Sequence, residues 1–425
     1  NKAKTLSFLR VFSLFILLVA LTLVACTSGK TVDGSDSGSK ESKEKVEETR
    51  TLNVTMALSE EEWEVMREHI IPAFEEQYNV KVEAIQIEAK DVVKQLQAMD
   101  QAGKMGIDLI AQDVNNIATL IANGLVEDLT EHKGIIPAEA IEGLVKAGEY
   151  EGKTYFFPYR PNVEINYYNE AKFEQYGLEA PTTWEELLHV AKTLKEKEGV
   201  GRVALKIKLS GDVIEIAEFI RQAGGDPLDL MSEGTITAFE YLQELWPYLS
   251  EDTLKASFSS TNNFLATESV YYAPNWPFGV NIIVKDGGKE EIKTNSGYAG
   301  PNGRVKTLGG EVLGIPVGSP NKDLAIKFME YLMSKDVQTE LVTRLGWASF
   351  RNDVYGEVED WQKPYFESVQ EAMEVAEPLP NVPYWSEVNQ ALNEALSEVV
   401  LDGKDVVETL QKYAEVVEKA KSQYE

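Results

Sequence analysis

Cys26 is the sole cysteine in this 425-residue chain, and its setting is the one place where residue types spell out covalent chemistry. It ends the apolar run Leu23-Val24-Ala25-Cys26 and precedes the polar Thr27-Ser28-Gly29-Lys30, with Lys2, Lys4 and Arg10 upstream and Val11 to Ala25 continuously apolar. A basic start, an apolar middle and a small residue before the thiol form a lipobox. Cleavage ahead of Cys26 would leave its thiol to carry a diacylglycerol and its amine a further acyl chain. Each buried methylene contributes about 0.8 kcal/mol, so two or three chains hold a domain on a membrane. An uncleaved span is the alternative, but the apolar run of about 15 residues is short of the roughly 20 that a helix needs. With its thiol committed to lipid, the mature chain has no disulfide and no cysteine-based metal site.

The other candidate residues could bind but not react. Two loops, Leu58-Ser59-Glu60 and Gln112-Asp113-Val114-Asn115-Asn116, follow strand-like segments. In open α/β sheets, ligands sit beyond the carboxyl ends of strands. Asp, Glu, Asn, Gln and Arg can make paired hydrogen bonds to hydroxyl rims, and aromatic rings can lie flat on C–H faces. Trp276 stands in the proline-flanked stretch Tyr271-Tyr272-Ala273-Pro274-Asn275-Trp276-Pro277-Phe278, which reads as a loop. Ser59 and Asn115 could serve only as helix caps, Arg160 as an exposed charge, Glu311 as a surface strand residue and Trp347 as packing. Trp63 and Trp184 fall within helices and read as core.

Several chemistries are excluded. His69, His132 and His189 are far apart and lack the His-x-x-x-His spacing of a zinc site. There is no Gly-x-x-x-x-Gly-Lys-Ser/Thr loop and no Gly-x-Ser-x-Gly elbow, and nothing singles out a catalytic carboxylate pair, so no enzyme, cofactor or metal is expected. The formal charge is −29, about −32 without the leader, which excludes nucleic acid as a partner.

The elements that must position these residues follow. Ser28 to Arg50 is polar and reads as a disordered tether, and the remaining 375 or so residues suggest two domains. Leu52 to Ala57 reads as a strand. Ser59-Glu60-Glu61-Glu62 forms a capping box that opens a helix from about Glu61 to Tyr78. Val80 to Ile87 is a second strand, Asp91 to Gln101 a helix, Gly106 to Ala111 a third strand and Asn116 to Asn123 a helix. This alternation predicts a largely parallel sheet with helices on both faces. An extended stretch from Tyr155 to Tyr168, with Pro158 and Pro161, reads as a crossover into a second lobe. There Val203 to Ile207 is strand-like, Ile214 to Ala223 and Thr237 to Tyr248 are helical, and the α/β pattern continues. Leu308 to Pro316 reads as a strand, Ser319-Pro320 as the cap and first residue of a helix reaching Met333, and Tyr384 to Leu401 and Val406 to Gln423 as terminal helices.

In this order the segments resemble the sugar-binding family of extracellular solute-binding proteins of bacterial ABC importers (family 1), which includes maltose-binding protein. The resemblance is carried by Asp108-Leu109-Ile110 through Asn123-Gly124-Leu125-Val126-Glu127-Asp128-Leu129. It continues in Glu151-Gly152-Lys153-Thr154-Tyr155 through Tyr168-Asn169, Phe173, Gly177-Leu178 and Pro181-Thr182-Thr183-Trp184-Glu185-Glu186-Leu187. Gly310 to Pro316 with Ala325-Ile326-Lys327-Phe328, and Pro380-Asn381-Val382-Pro383 with the terminal helices, complete it.

The resemblance implies an α/β, two-lobe periplasmic-binding-protein-like fold (type II), with doubly wound mixed sheets joined by hinge strands. It divides the chain into a signal peptide (1–25), a tether (26–50), an N-terminal lobe (51–160 plus 307–350) and a C-terminal lobe (161–306 plus 351–425). It places Ser59, Glu60, Gln112, Asp113, Asn115, Asn116, Arg160, Asn162, Trp276, Glu311, Trp347, Tyr384 and Trp385 as ligand-binding candidates, with Trp276 matching a tryptophan that stacks on sugar. Gln112, Asn115, Asn116 and Asn162 differ in type from the family's contacts, so the same sugar is not implied. The implied protein is a lipid-anchored, extracellular, monomeric subunit that hands a sugar to permease subunits. The acidity leaves open a receptor for a cation such as a polyamine, and a sensory lipoprotein is a further alternative.

Overall fold

The computed structural model describes residues 48–88, 91–209 and 213–425; the leader, Cys26 and nearly all of the tether lie outside the described residues. Eleven strands are present among them: β1 (Arg50–Thr55), β2 (Val80–Ala84), β3 (Leu109–Asp113), β4 (Glu149–Tyr150), β5 (Lys153–Thr154), β6 (Phe157–Val163), β7 (Ile165–Asn169), β8 (Tyr272–Asn275), β9 (Ile292–Asn295), β10 (Lys306–Gly314) and β11 (Ala376–Pro378).

The first sheet runs β11-β10-β3-β1-β2, with β6 also on β10. β1 is parallel to β2 and β3, while β10 runs antiparallel to β3 and β6, so the sheet is mixed. Leu109, Ile110, Ala111 and Gln112 of β3 are all buried, as expected of a strand flanked on both edges and covered on both faces. The second sheet, β8-β7-β9, is antiparallel throughout. Apolar residues form one large cluster around the first sheet, reaching Val163, Ile165 and Tyr167 at the crossover. A second cluster lies among the helices of the other lobe.

The helix opening at Ser59 is capped as expected. Its Oγ accepts from the Glu62 N–H at 3.2 Å, and Glu62 Oε1 accepts from the Ser59 N–H at 3.0 Å. It then divides into Glu60–Val65, a π turn Met66–Ile70, and Ile71–Tyr78. Pro72 explains the break, since it has no N–H to donate to the preceding turn. The terminal helices are Trp385–Leu401 and Val406–Lys421.

Two local expectations fail for reasons visible in the hydrogen bonds. Val203 to Ile207 is not a strand: Val203 bridges Leu249 and Tyr272, but the Lys206 N–H donates to the Glu215 carboxylate at 2.6 Å and the Leu205 N–H to Thr253 Oγ1 at 3.4 Å. Side chains take the place of a ladder. Ser319 does not cap a helix either; its hydroxyl donates to Asp108 at 2.7 Å, and the helix begins only at Lys322.

Charged residues are buried where the lobes join. Glu164, between β6 and β7, is ion-paired to Lys206, and both are nearly inaccessible. Glu218, on the helix Ile214–Gln222, lies 3.6 Å from Lys306 and accepts from the Thr307 N–H at 2.8 Å. Lys306 also donates to Asn166 Oδ1 at 3.2 Å. Three carboxylates face two ammonium groups, so full ionisation would leave a buried net negative charge. Burial pushes Glu215 up to about 8, with Lys206 and Lys306 pulling it back and Glu218 pushing it higher.

An unfolded glutamate releases its proton near its ordinary value of 4.5, whereas the folded one keeps it to about 8. Between these values the folded state binds more protons, so this residue's contribution to stability declines as pH rises. The amide of Glu215→Gln does not titrate. Melting curves should therefore show the variant gaining on the wild type from about pH 5 to about pH 8, and a constant difference would contradict the assignment.

Candidate functional site in the interlobe cleft

The carboxyl end of β3 meets the middle of β10 and β6, and registry places Asp113, Glu311 and Arg160 side by side across the three strands. A register shift between Glu311 and Val312 makes this possible. Gly310 has φ +93°, and a Cβ there would lie 2.1 Å from the Arg160 carbonyl oxygen, so only glycine lets the strands approach at this point. A cleft of about 270 Å³ opens beside this row, lined by Ser59, Glu62, Arg160, Asn162, Trp347 and, from the other wall, Phe278.

Glu62 organises the first wall. One of its oxygens completes the capping box, while the other accepts from the Trp347 indole at 2.8 Å and pairs with Arg160 at 3.1 Å. The Arg160 guanidinium lies 4.1 Å from the centre of the Trp347 ring, and Tyr159 meets that ring edge-on at 5.9 Å. Because both carboxylate oxygens and one ring face are engaged, Arg160 is held in one orientation with donors left over for a ligand.

Glu311 is pushed up to about 7, chiefly by burial; Arg160 pulls it back, and Asp113 and Glu62 push it up again. Its Oε2 is buried without a hydrogen-bond partner. Asp113 is also raised, by desolvation, with the Asn115 N–H opposing the shift through a 2.8 Å bond. Asp113 nevertheless keeps an exposed edge, where solvent screens its charge. Asn115 Oδ1 is a second buried acceptor without a partner.

On the second wall, Trp276 immediately precedes Pro277 and Phe278, which line the cleft, but is not itself among the lining residues; it is half-buried, its carbonyl accepting from the Tyr167 hydroxyl at 2.7 Å. The Lys206 ammonium lies 4.6 Å from the centre of its ring. A Cβ on Gly309 would come 3.0 Å from Trp276 Cη2, so strand β10 touches the ring edge. Ile214, Ala217 and Leu379 form a small apolar cluster against which Trp276 and Trp385 pack.

The sequence candidates divide accordingly. Ser59, Arg160, Asn162 and Trp347 line the cleft, Glu311 adjoins Arg160, and Asp113 lies one strand further, on the other side of Glu311. Glu60 is exposed and paired with Arg67, Gln112 is buried inside the sheet, and Asn116 is exposed before the helix Ile117–Ala122. Tyr384 borders a different hollow beside Asp226, its ring 6.2 Å from Tyr424. Sequence reasoning missed Glu62 and Lys206. Glu62 was absorbed by the capping box, though its place just beyond β1 was a usable signal; Lys206, amid apolar neighbours in Leu205-Lys206-Ile207, offered a weaker one. Among the described residues no group of three or more His, Cys, Asp or Glu could hold a metal ion.

Carboxyl-detected NMR with ¹³C-labelled glutamate should place Glu311 near 7 and move it higher in Arg160→Met, which removes the opposing charge. A midpoint in the ordinary carboxylate range, or one unmoved by the substitution, would contradict this geometry.

Residues 69–367 match the family described as bacterial extracellular solute-binding protein. An ABC transporter extracellular-binding protein of Pyrococcus horikoshii is 26% identical over 50% of each chain. The multiple sugar-binding protein of Streptococcus mutans is 24% identical over 44% of this chain and 49% of its own. The chain thus spans about half the length of the curated relatives it matches. Among solved structures, MalE of Xanthomonas citri superposes with a TM-score of 0.77 at 18% identity, covering 88% of this chain and 99% of that one. Maltose-bound MalE3 of T. maritima gives 0.73 at 23%, covering 87% and 99%. The fold is therefore the two-lobe α/β architecture of MalE proteins, and the family is one of binders rather than enzymes. With its strand ends, cleft and matched segments in agreement, the chain belongs to the bacterial extracellular solute-binding proteins.

Proposed function

We propose that this protein is the membrane-anchored substrate-binding subunit of an ABC importer, capturing an oligosaccharide between its lobes and delivering it to the permease. The observation that carries the reading is the arrangement of aromatic surface and fixed hydrogen-bonding groups on facing walls. Trp347 with Arg160 and Glu62 stands on one side and Phe278 on the other, and Trp276, two residues before Phe278, would turn a ring toward the gap when the lobes close on a ligand. Rings accept the C–H faces of a sugar, while the guanidinium and carboxylates address its hydroxyl rim. The sugar named for the Streptococcus mutans relative and the maltose named for the T. maritima structure point the same way.

On this reading one lobe comprises 51–160 with 307–350 and the other the remainder; the helix Lys363–Glu374, counted with the second, also sends Val369 and Met373 into the apolar cluster around the first sheet. Its Ser368 and Glu371 bond Thr294 and Ser296 at 2.9 and 2.8 Å. Ligand bridging both walls favours the closed arrangement only through tighter binding to it, and closure would create the surface the permease reads. Cys26 would carry the lipid that keeps a monomer on the outer face of the cell membrane. A cation receptor is less well matched, because Arg160 stands among Glu62, Asp113 and Glu311.

Calorimetry with gluco-, xylo- and manno-oligosaccharides should detect binding, and Trp276→Ala should weaken it by about 1–3 kcal/mol, by analogy with bases stacked on aromatic rings. Binding of spermidine but of no sugar would reverse the reading. Unchanged affinity in the variant would remove Trp276 from the site.

A further inference from the structure

A hollow larger than the cleft lies elsewhere in the molecule. A space of about 740 Å³ opens beside the second sheet, between β7, the π turn Asn281–Asp286, β9 and the segment leading into the helix Lys363–Glu374. That volume lies within the range of small-ligand sites. The Asn281–Gln362 hydrogen bond, at 3.2 Å, and a small void beside Pro277 and Gly346 lie between it and the cleft.

Three rings border the hollow: Tyr168, Trp361 and Tyr365. The Tyr365 hydroxyl donates to the Ile292 carbonyl at 2.6 Å and the Trp361 indole to Glu359 at 2.5 Å. Their polar ends are therefore occupied, and what these two rings can offer a ligand is apolar faces and edges. They meet at 68° with centroids 6.2 Å apart, forming a corner rather than a flat stack.

The rim carries Glu170, Lys285, Glu290 and Lys293, and none of the four has an ion-pair partner within 4.0 Å among the described residues. Pairing is not foreclosed locally, since the neighbouring Lys289 lies 3.6 Å from Glu291 and 3.9 Å from Glu268. Two cationic donors and two anionic acceptors sum to no net charge, which suits neither a polyanion nor a polycation. Equal numbers of donors and acceptors around aromatic walls match a neutral polyol with C–H faces.

We infer that this hollow is an accessory carbohydrate site, separate from the interlobe cleft and taking a short neutral oligosaccharide against Trp361. Its shallow, charged rim suits weak, exchanging binding. Such a site would give a longer glycan a second foothold on the protein.

The test is ¹⁹F NMR of the mature protein labelled with 5-fluorotryptophan, titrated separately with maltotetraose, xylotetraose and mannotetraose; Trp361→Phe assigns the Trp361 resonance. We expect that resonance to shift saturably, in the millimolar range, with at least one sugar, and to do so equally in Trp276→Ala. Lys285→Ala/Glu290→Ala, with an unchanged melting temperature, should weaken that response at least fivefold. No shift with any of the three sugars, loss of the shift in Trp276→Ala, or an unchanged response in the double variant would overturn the inference. The Trp276 resonance reports the cleft independently, so failure of one site is distinguishable from failure of the other.

Discussion

Strand β10 is held at its root by a buried set of charges, and the geometry of the cleft depends on that anchorage. Lys306 and Thr307 are bound to Glu218 and Ile214 of the helix Ile214–Gln222, while four residues later Glu311 stands between Asp113 and Arg160 in the first sheet. Removing ions from water is costly, and a buried pair is tolerated only when the remaining valences are met. Here they are met in part, by Asn166, the N–H groups of Lys206 and Thr307, and a proton held on Glu215, while Glu164 Oε2 and Glu215 Oε1 are buried without a hydrogen-bond partner. A hydrophobic replacement could be equally stable, but it would lose the directional bonds that fix where β10 leaves one lobe and enters the other.

From that fixed point the two walls are set by short-range contacts. Gly309 touches the edge of Trp276, and Gly310 lets β6 approach closely enough for Arg160 to sit beside Glu311. Arg160 is then gripped by Glu62 and the face of Trp347, a planar arrangement that the point charge of a lysine would not reproduce. Glu62 couples these side chains to helix capping, so the same carboxylate that starts the first helix also orients the cleft. The side chains are preorganised, which lowers the ordering cost of binding.

Local signals in the sequence were read correctly where local physics decides. The capping box at Ser59 and the terminal helices depend on neighbours three or four residues away. The segment Val203 to Ile207 looked like a strand because its apolar alternation is real, yet Glu215 and Thr253 take the N–H groups that a partner strand would have used. Those competitors lie nine and 48 residues along the chain, beyond any window of periodicity. For the same reason Glu62 was legible as a cap but not as the partner of Trp347, which is 285 residues away. Tyr384, placed near the ligand by resemblance, borders another hollow because its helix packs among those of the second lobe.

The central claim is that a saccharide is held between the Trp276 wall and the Arg160–Trp347 wall. A crystal structure of the mature protein grown with a saturating binding-competent oligosaccharide tests this most directly. The account predicts sugar density in that gap, with a ring on Trp276 and a hydroxyl pair on Arg160. An empty gap, or sugar bound only elsewhere on the molecule, would contradict it.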